Sequence, residues 1–458
     1  MRHFRWILRA VVAALVVVIA AAVSWTWARP PELLRVGAGY SAKIVCSSTF
    51  ISGRDPDAVL ASDVQAPGHP LLRLMQVRVD RGRGTVRAAI LGFIAPRTAV
   101  YRTGLGCSLL PDNPTYPVEL QLVGKSDPAP AAPDATWPEG DRAGDPSPEV
   151  EALLADATLT GPGMRAVVVV RDGRIVGERY ADGFSADTPQ LGWSMTKTVT
   201  AALIGTLVKD GVLALDKRRL LSDWQADERA EISIADLMAM SSGLAFRESY
   251  GGVSDATRML FLEPDMAAYA EAMPLAAPVG SVFSYSSGTT VILSRLWQEA
   301  AGAEAMTWPQ RRLFQPLGMR SAVLETDAAG TFAGSSYLYA TPRDWARFGQ
   351  FLLQDGVWNG EVLLPPGFVA WMREPAPASN GNYGRGQLWL AGPKSTVEAD
   401  DAMGVPAGTY WLIGHDGQSM AIVPVLNMVV LRMGLTPSSA GYKPQALVSA
   451  LAEMFARK

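Results

Sequence analysis

Trp193-Ser194-Met195-Thr196-Lys197 stands where a candidate strand hands over to an apolar-periodic stretch, Val199, Leu203, Leu207 and Val208, that stops at Gly211. Apolar residues at this spacing predict a long helix after Ser194, with the glycine as its stop signal. Residues three apart share a helix face, so the Lys197 amine can reach the Ser194 hydroxyl. A serine hydroxyl is a weak nucleophile until a base takes its proton, and a partly desolvated lysine can be that base. An ordinary lysine, with a pKa of about 10.4, is protonated at neutral pH, so its surroundings must lower that value. A serine at a helix start also sets its own backbone N–H where an oxyanion binds. The spacing alone equally fits a helix N-cap followed by a surface lysine. Position argues for chemistry, because this is the only Ser-x-x-Lys in the chain.

Two further clusters lie downstream. Tyr285-Ser286-Ser287 is bracketed by Pro278-Val279-Gly280 and Gly288, which predicts a tight loop presenting the tyrosine. A tyrosine beside a cation can have its pKa lowered and act as a general base, although alone it reads more readily as a packed loop residue. His415-Asp416-Gly417-Gln418 follows the predicted strand Tyr410 to Ile413, and Gly417 allows a close backbone approach to a ligand. That placement suits a substrate edge, with the Gln418 N–H as a second oxyanion donor. A Ser-His-Asp triad is a competing use of His415 and Asp416. Neighbours on a strand point to opposite sides, which counts against Asp416 orienting the His415 ring.

Taken in order, Ser-x-x-Lys, Tyr-x-Ser and His-x-Gly resemble the Ser-x-x-Lys, Tyr-x-Asn and Lys/His-x-Gly elements of class C β-lactamases and their serine-hydrolase relatives. Details at Met240-Ser241-Ser242-Gly243-Leu244, Ala340-Thr341-Pro342-Arg343-Asp344-Trp345 and Gly414-His415-Asp416-Gly417-Gln418 are similar to the 6-aminohexanoate-dimer (nylon-oligomer) hydrolase and esterase branch. The resemblance covers about Glu149 to Lys458. It implies an α/β (α+β) fold, a β-lactamase/transpeptidase-like mixed sheet flanked by helices with an inserted helical subdomain. It implies acylation of Ser194, proton traffic shared by Lys197 and Tyr285, and an oxyanion hole from the N–H groups of Ser194 and Gln418. His415 and Gly417 would border the substrate, and Tyr250 stands where the branch has a mobile tyrosine. No cofactor is implied. β-Lactamases of this type carry Asn where Ser287 stands and Lys where His415 stands. A histidine, mostly neutral at pH 7, lacks the permanent charge that meets a β-lactam carboxylate. Small esters or amides are therefore the expected substrates. A D-amino-acid peptidase, a β-lactamase or an idle binding protein are the alternatives.

Composition sets the frame. Across 458 residues, 48% are hydrophobic and 19% charged, which excludes wholesale disorder, and a net charge of −3 gives no footprint for nucleic acid. Only His3, His69 and His415 occur, none at ligand spacing from another His or a Cys, so zinc chemistry is not expected. Arg2, Arg5 and Arg9 precede an apolar run from Ala10 to Val23. That order predicts export, with residues 1–29 serving as a membrane anchor or as a signal cleaved near Ala20-Ala21-Ala22. Cys46 and Cys107 read as a disulfide in an oxidising compartment, with two buried thiols as the alternative.

Residues 30–125 read as a small N-terminal region of short apolar runs. Within it, Leu71 to Val79 and Thr85 to Phe93 are expected as strands of a hairpin. Residues 126–148, rich in Pro and Ala, read as an extended linker, and 149–458 as the hydrolase domain. There, strands are expected at Arg165 to Val170, Ile175 to Tyr180, Met420 to Val423 and Met428 to Met433, with a last helix from Pro444 to Arg457.

Overall fold

The computed structural model describes residues 2–111 and 135–457, without the side chains of 2, 3, 19–23, 26 and 27. Helix α1, Arg2–Ala28, exposes Phe4, Trp6, Ile7, Leu8 and Val11. Among the described residues no helix is long and apolar enough to cross a membrane. The undescribed side chains of 19–23 fall within the apolar run.

After Pro30-Pro31 the chain forms helix α2, Glu32–Phe50, most of which is buried. Short apolar runs punctuated by Gly and Pro are expected here, and Gly37 and Gly39 do lower helix propensity. Packing outweighs that cost. A Cβ at residue 39 would lie 2.5 Å from the Phe261 carbonyl oxygen, so the glycine lets two backbones approach. Helix α2 lies across an antiparallel meander of β1 (Met75–Asp80), β2 (Thr85–Ile90), β3 (Ile94–Arg102) and β4 (Gly106–Leu109). The first strand begins later than expected, since Pro70–Leu74 forms a 3-10 turn with a proline at its start. A Cys46–Cys107 disulfide ties α2 to β4.

This N-terminal unit is fastened to the rest by buried polar contacts. Lys43 pairs with Glu325, whose carboxylate also accepts from Ser47 Oγ (2.8 Å) and the Cys107 N–H (2.6 Å). Asp63 is gripped by Arg54 and, at 2.5 Å, by Arg165, which hold its carboxyl down at about 2 against the effect of burial. Of the expected linker, 126–134 lies outside the described residues. The remainder is folded rather than extended. Trp137 is fully buried and donates to the Arg343 carbonyl (3.2 Å), and Arg347 donates to the Pro138 carbonyl (3.1 Å). One anchoring aromatic outweighs the surrounding Pro and Ala, which composition averaged over a window conceals.

Helix α3 (Pro148–Ala155) precedes β5 (Met164–Arg171) and β6 (Arg174–Tyr180). Asp172 and Gly173, both at positive φ, make the hairpin turn between these strands. The helical middle includes α4 (Thr196–Lys209), α5 (Asp255–Phe261), α6 (Ser287–Ala301) and α7 (Pro342–Leu353). Then β7 (Tyr410–Gly414), β8 (Gln418–Val423) and β9 (Met428–Gly434) return to the sheet, and α8 (Gln445–Ala456) closes the chain.

The sheet runs β7-β8-β9-β5-β6 with every pairing antiparallel, a detail in which it departs from the expected mixture. Early and late segments meet where Val430 pairs with Val169. Val167 and Val169 pack into the cluster under α3 and α8, whereas Val168 and Val170 join the main core beneath α7. Burial on both faces explains the uninterrupted valine run. The α/β architecture implied by the resemblance is the one observed.

Candidate active site

The nucleophile position is prepared by its neighbours. Gly192 has no room for a side chain, since a Cβ would meet the Trp345 ring at 2.2 Å. Trp193 then takes φ of 48°, a conformation that a bulky residue holds only when its surroundings impose it. Trp193–Met195 is a 3-10 turn running directly into α4, which places Ser194 at the helix start as the sequence predicts.

Lys197 is 1% exposed, and its Nζ lies 3.1 Å from Ser194 Oγ, 3.0 Å from Ser287 Oγ and 3.0 Å from the Ser335 carbonyl oxygen. Burial lowers its pKa to about 8, with Glu248 pulling the other way. The desolvated lysine that nucleophile activation needs is therefore built into the site. Its ammonium also sits over the Tyr285 ring, 4.9 Å from the centroid.

Tyr285 departs from expectation. Burial and then Glu248 push its phenol upward, with a hydrogen bond to Ser194 acting in the other direction. The cation meets the ring face, which favours packing, and does not offset loss of water around the phenolate. Tyr285 thus remains a phenol at neutral pH and can offer its hydroxyl as a hydrogen-bond donor, and the lowering expected beside a cation is not observed.

Glu248 is the residue the sequence reading left unassigned. Its carboxylate accepts from the Ser287 N–H (2.8 Å), from Ser287 Oγ (2.7 Å) and from the Tyr250 hydroxyl (2.7 Å). Ser287 opens α6, so the carboxylate also sits at a helix N-terminus, where negative charge is favoured. Tyr250 keeps 37% of its surface exposed while its hydroxyl turns inward. Burial of that hydroxyl and Glu248 raise its pKa. Nothing in the local sequence signals the Glu248–Ser287 pairing, because the partners are 39 residues apart.

His415 lies against Tyr250 with the rings tilted (5.0 Å between centroids, 40° between planes) and meets Trp193 edge-on (5.6 Å). Its Nε2 lies 3.4 Å from Asp416 Oδ1. His415–Gly417 is a turn between β7 and β8, not strand, and Asp416 has φ of 54°. The alternation argument used against their contact therefore does not hold. The titratable side chain hydrogen-bonded to Ser194 Oγ is nonetheless Lys197, at 3.1 Å. Gly417, at φ of 84°, is required, since a Cβ would come within 2.9 Å of Arg432. Arg432, missed by the sequence reading, is buried and donates to the Gly417 carbonyl (2.9 Å) and Thr436 Oγ1 (2.6 Å), fixing this turn. The Gln418 side chain bridges to Gly434, donating to its carbonyl (2.5 Å) and accepting from its N–H (2.8 Å). With the side chain so engaged, only the backbone of Gln418 is left for other contacts.

Beside these residues is a cavity of about 720 Å³, bordered by Trp193, Tyr250, His415, Gly417 and Gln418. Ser194, Lys197 and Tyr285 are not among its lining residues. Tyr285 adjoins it through the Trp389 ring, 5.4 Å away. Among the described residues no cluster of His, Cys, Asp and Glu is arranged to hold a metal ion.

A family model described as Beta-lactamase matches residues 154–446. The 6-aminohexanoate-dimer hydrolase of Paenarthrobacter ureafaciens is 22% identical over 305 residues, which cover 59% of this chain and 72% of that protein. An uncharacterized protein of Alkalihalophilus pseudofirmus is 26% identical over 98 residues, only 21% of this chain and 29% of its own length. A Bacillus anthracis structure provisionally assigned as a 6-aminohexanoate-dimer hydrolase aligns with a TM-score of 0.53 at 24% identity, covering 64% of this chain and 78% of that one.

Proposed function

We propose that this chain, which belongs to the Beta-lactamase family, is an exported serine hydrolase that cleaves small esters or amides through an acyl-enzyme on Ser194. One observation carries the reading: Lys197 Nζ is 3.1 Å from Ser194 Oγ in a buried setting that brings its pKa to about 8. Neutral Lys197 takes the hydroxyl proton as Ser194 Oγ attacks the carbonyl carbon. The oxyanion is received by the N–H groups of Ser194 and Gln418. Collapse expels the alcohol or amine, which takes that proton back from Lys197, directly or relayed through the Tyr285 hydroxyl as its own proton moves on. Water then releases the acid by the reverse relay. His415 and Ser287, standing where class C β-lactamases have Lys and Asn, support esters or amides without a β-lactam carboxylate.

The test is release of p-nitrophenol from p-nitrophenyl acetate by wild type beside Ser194→Ala. A burst in the wild type that disappears in the variant supports the acyl-enzyme. Equal slow release from both overturns it, and covalent labelling by a fluorescent penicillin would move the reading to cell-wall-like substrates.

Export and membrane attachment through α1 belong to the same proposal. Support comes from the exposed apolar side chains of α1 and from the disulfide, which suits an oxidising compartment. Recovery of the protein in carbonate-washed membranes with an intact N-terminus is expected. Recovery in the cytosol would overturn it.

A further inference from the structure

The cavity beside the site has two unlike halves. One ends on Trp193, the residue before Ser194, together with His415 and Gln418, the latter a proposed oxyanion donor. The other is built by the N-terminal unit, from Leu33, Leu34, Val36 and Tyr40 of α2 with Leu71 and Leu72. Residue 154 is where the family match begins, so this second wall lies wholly outside it. Helix α2 brings no charged side chain to the cavity, and Phe261 continues the apolar surface from α5. The wall is held in place by the Glu325 cluster, the Asp63 cluster and the Gly39–Phe261 contact, so it is a fixed part of the molecule.

An apolar wall in a cavity that reaches Trp193, next to Ser194, has a direct chemical use. Once Ser194 is acylated, the acyl chain is tethered beside Trp193 and needs a place while water attacks. A chain of several methylenes gains from leaving water, up to about fourfold in binding per methylene at full burial. A volume of about 720 Å³ is within the range that holds a small organic ligand. Of the polar groups that line the cavity, Lys394 Nζ donates to the Ser438 carbonyl at 2.5 Å.

We propose that the N-terminal unit completes an acyl-chain pocket, making the enzyme selective for medium-chain aliphatic acyl groups. This rests on the acyl-enzyme reading given above. The experiment compares kcat/KM for p-nitrophenyl acetate, butyrate, octanoate and decanoate with the full chain, in wild type, Leu33→Trp and Leu33→Ala. Leu33 is on the half-exposed first turn of α2, and circular dichroism checks that the variants fold. In wild type, octanoate is expected to exceed acetate by at least about 30-fold, below the full-burial ceiling. Leu33→Trp fills the wall and lowers the octanoate-to-acetate ratio at least tenfold, whereas Leu33→Ala moves the optimum towards decanoate. A Ser194-dependent acetate burst with no chain-length preference, or ratios unmoved by both variants, overturns the pocket and leaves the serine hydrolase intact. Preference confined to the alcohol half, octyl over ethyl acetate, overturns the acyl assignment. Absence of a Ser194-dependent burst on every ester removes the underlying reading itself.

Discussion

Glu248 holds Ser287 twice, taking its backbone N–H at 2.8 Å and its hydroxyl at 2.7 Å, and the same hydroxyl lies 3.0 Å from Lys197 Nζ. The carboxylate is thereby coupled to the Lys197 amine through one serine. Its charge raises the Lys197 pKa, opposing burial.

Removing that charge therefore moves the pH profile in a defined direction. In Glu248→Gln the lysine loses a partner that favours its charged form, and its pKa falls below about 8. The acid limb of kcat/KM on p-nitrophenyl acetate should shift to lower pH. A shift to higher pH, or none, would contradict the coupling.

Lys197→Met should lower kcat by roughly 10²- to 10⁴-fold, the usual contribution of a positioned general base. Active-site titration would show whether acylation is the step lost. Undiminished acylation would exclude Lys197 as the base.

The same substitution tests the energetic cost of burying the amine. Folded Lys197 has a pKa of about 8, below its ordinary 10.5, so between those values the unfolded chain holds more protons than the native one. Stability contributed by this site thus rises with pH across that window, and below it the burial penalty is present in full. Lys197→Met should be more stable than wild type at pH 7 by an amount on the order of 1–3 kcal/mol, narrowing above pH 10. Thermal melts at both pH values decide it.

Glu325→Gln should weaken the attachment of the N-terminal unit. It leaves Lys43 buried without its counter-charge, a change that typically costs about 3–5 kcal/mol. A large fall in Tm is expected. Little change would mean that Ser47 and water suffice for Lys43.

Replacing Cys46 and Cys107 together by serine frees a loop with a sequence separation of 61 residues. Chain-entropy arguments put the loss at about 4 kcal/mol, at the upper end of what disulfides typically contribute. Urea denaturation of the double variant beside wild type measures it, and intact mass before and after reduction should differ by two hydrogens.

Much of the catalytic part was legible in the chain because its signals are local. The Ser194–Lys197 spacing needs only one helical turn, the Asp172-Gly173 hairpin only its own backbone preferences, and the double-sided burial of β5 appears as an unbroken valine run. What tertiary structure alone decided is set by distance along the chain. Glu248 meets Ser287 across 39 residues, and Arg432 reaches Gly417 from the neighbouring strand. Tyr285 goes up, not down, because loss of water around its hydroxyl outweighs a cation placed over its ring. Helix α2 is formed against the propensity of its glycines because Gly39 lets it settle on Phe261. Hydrogen-bond spacing and turn preference are properties of a short segment, whereas desolvation and close packing belong to whatever the fold brings alongside it.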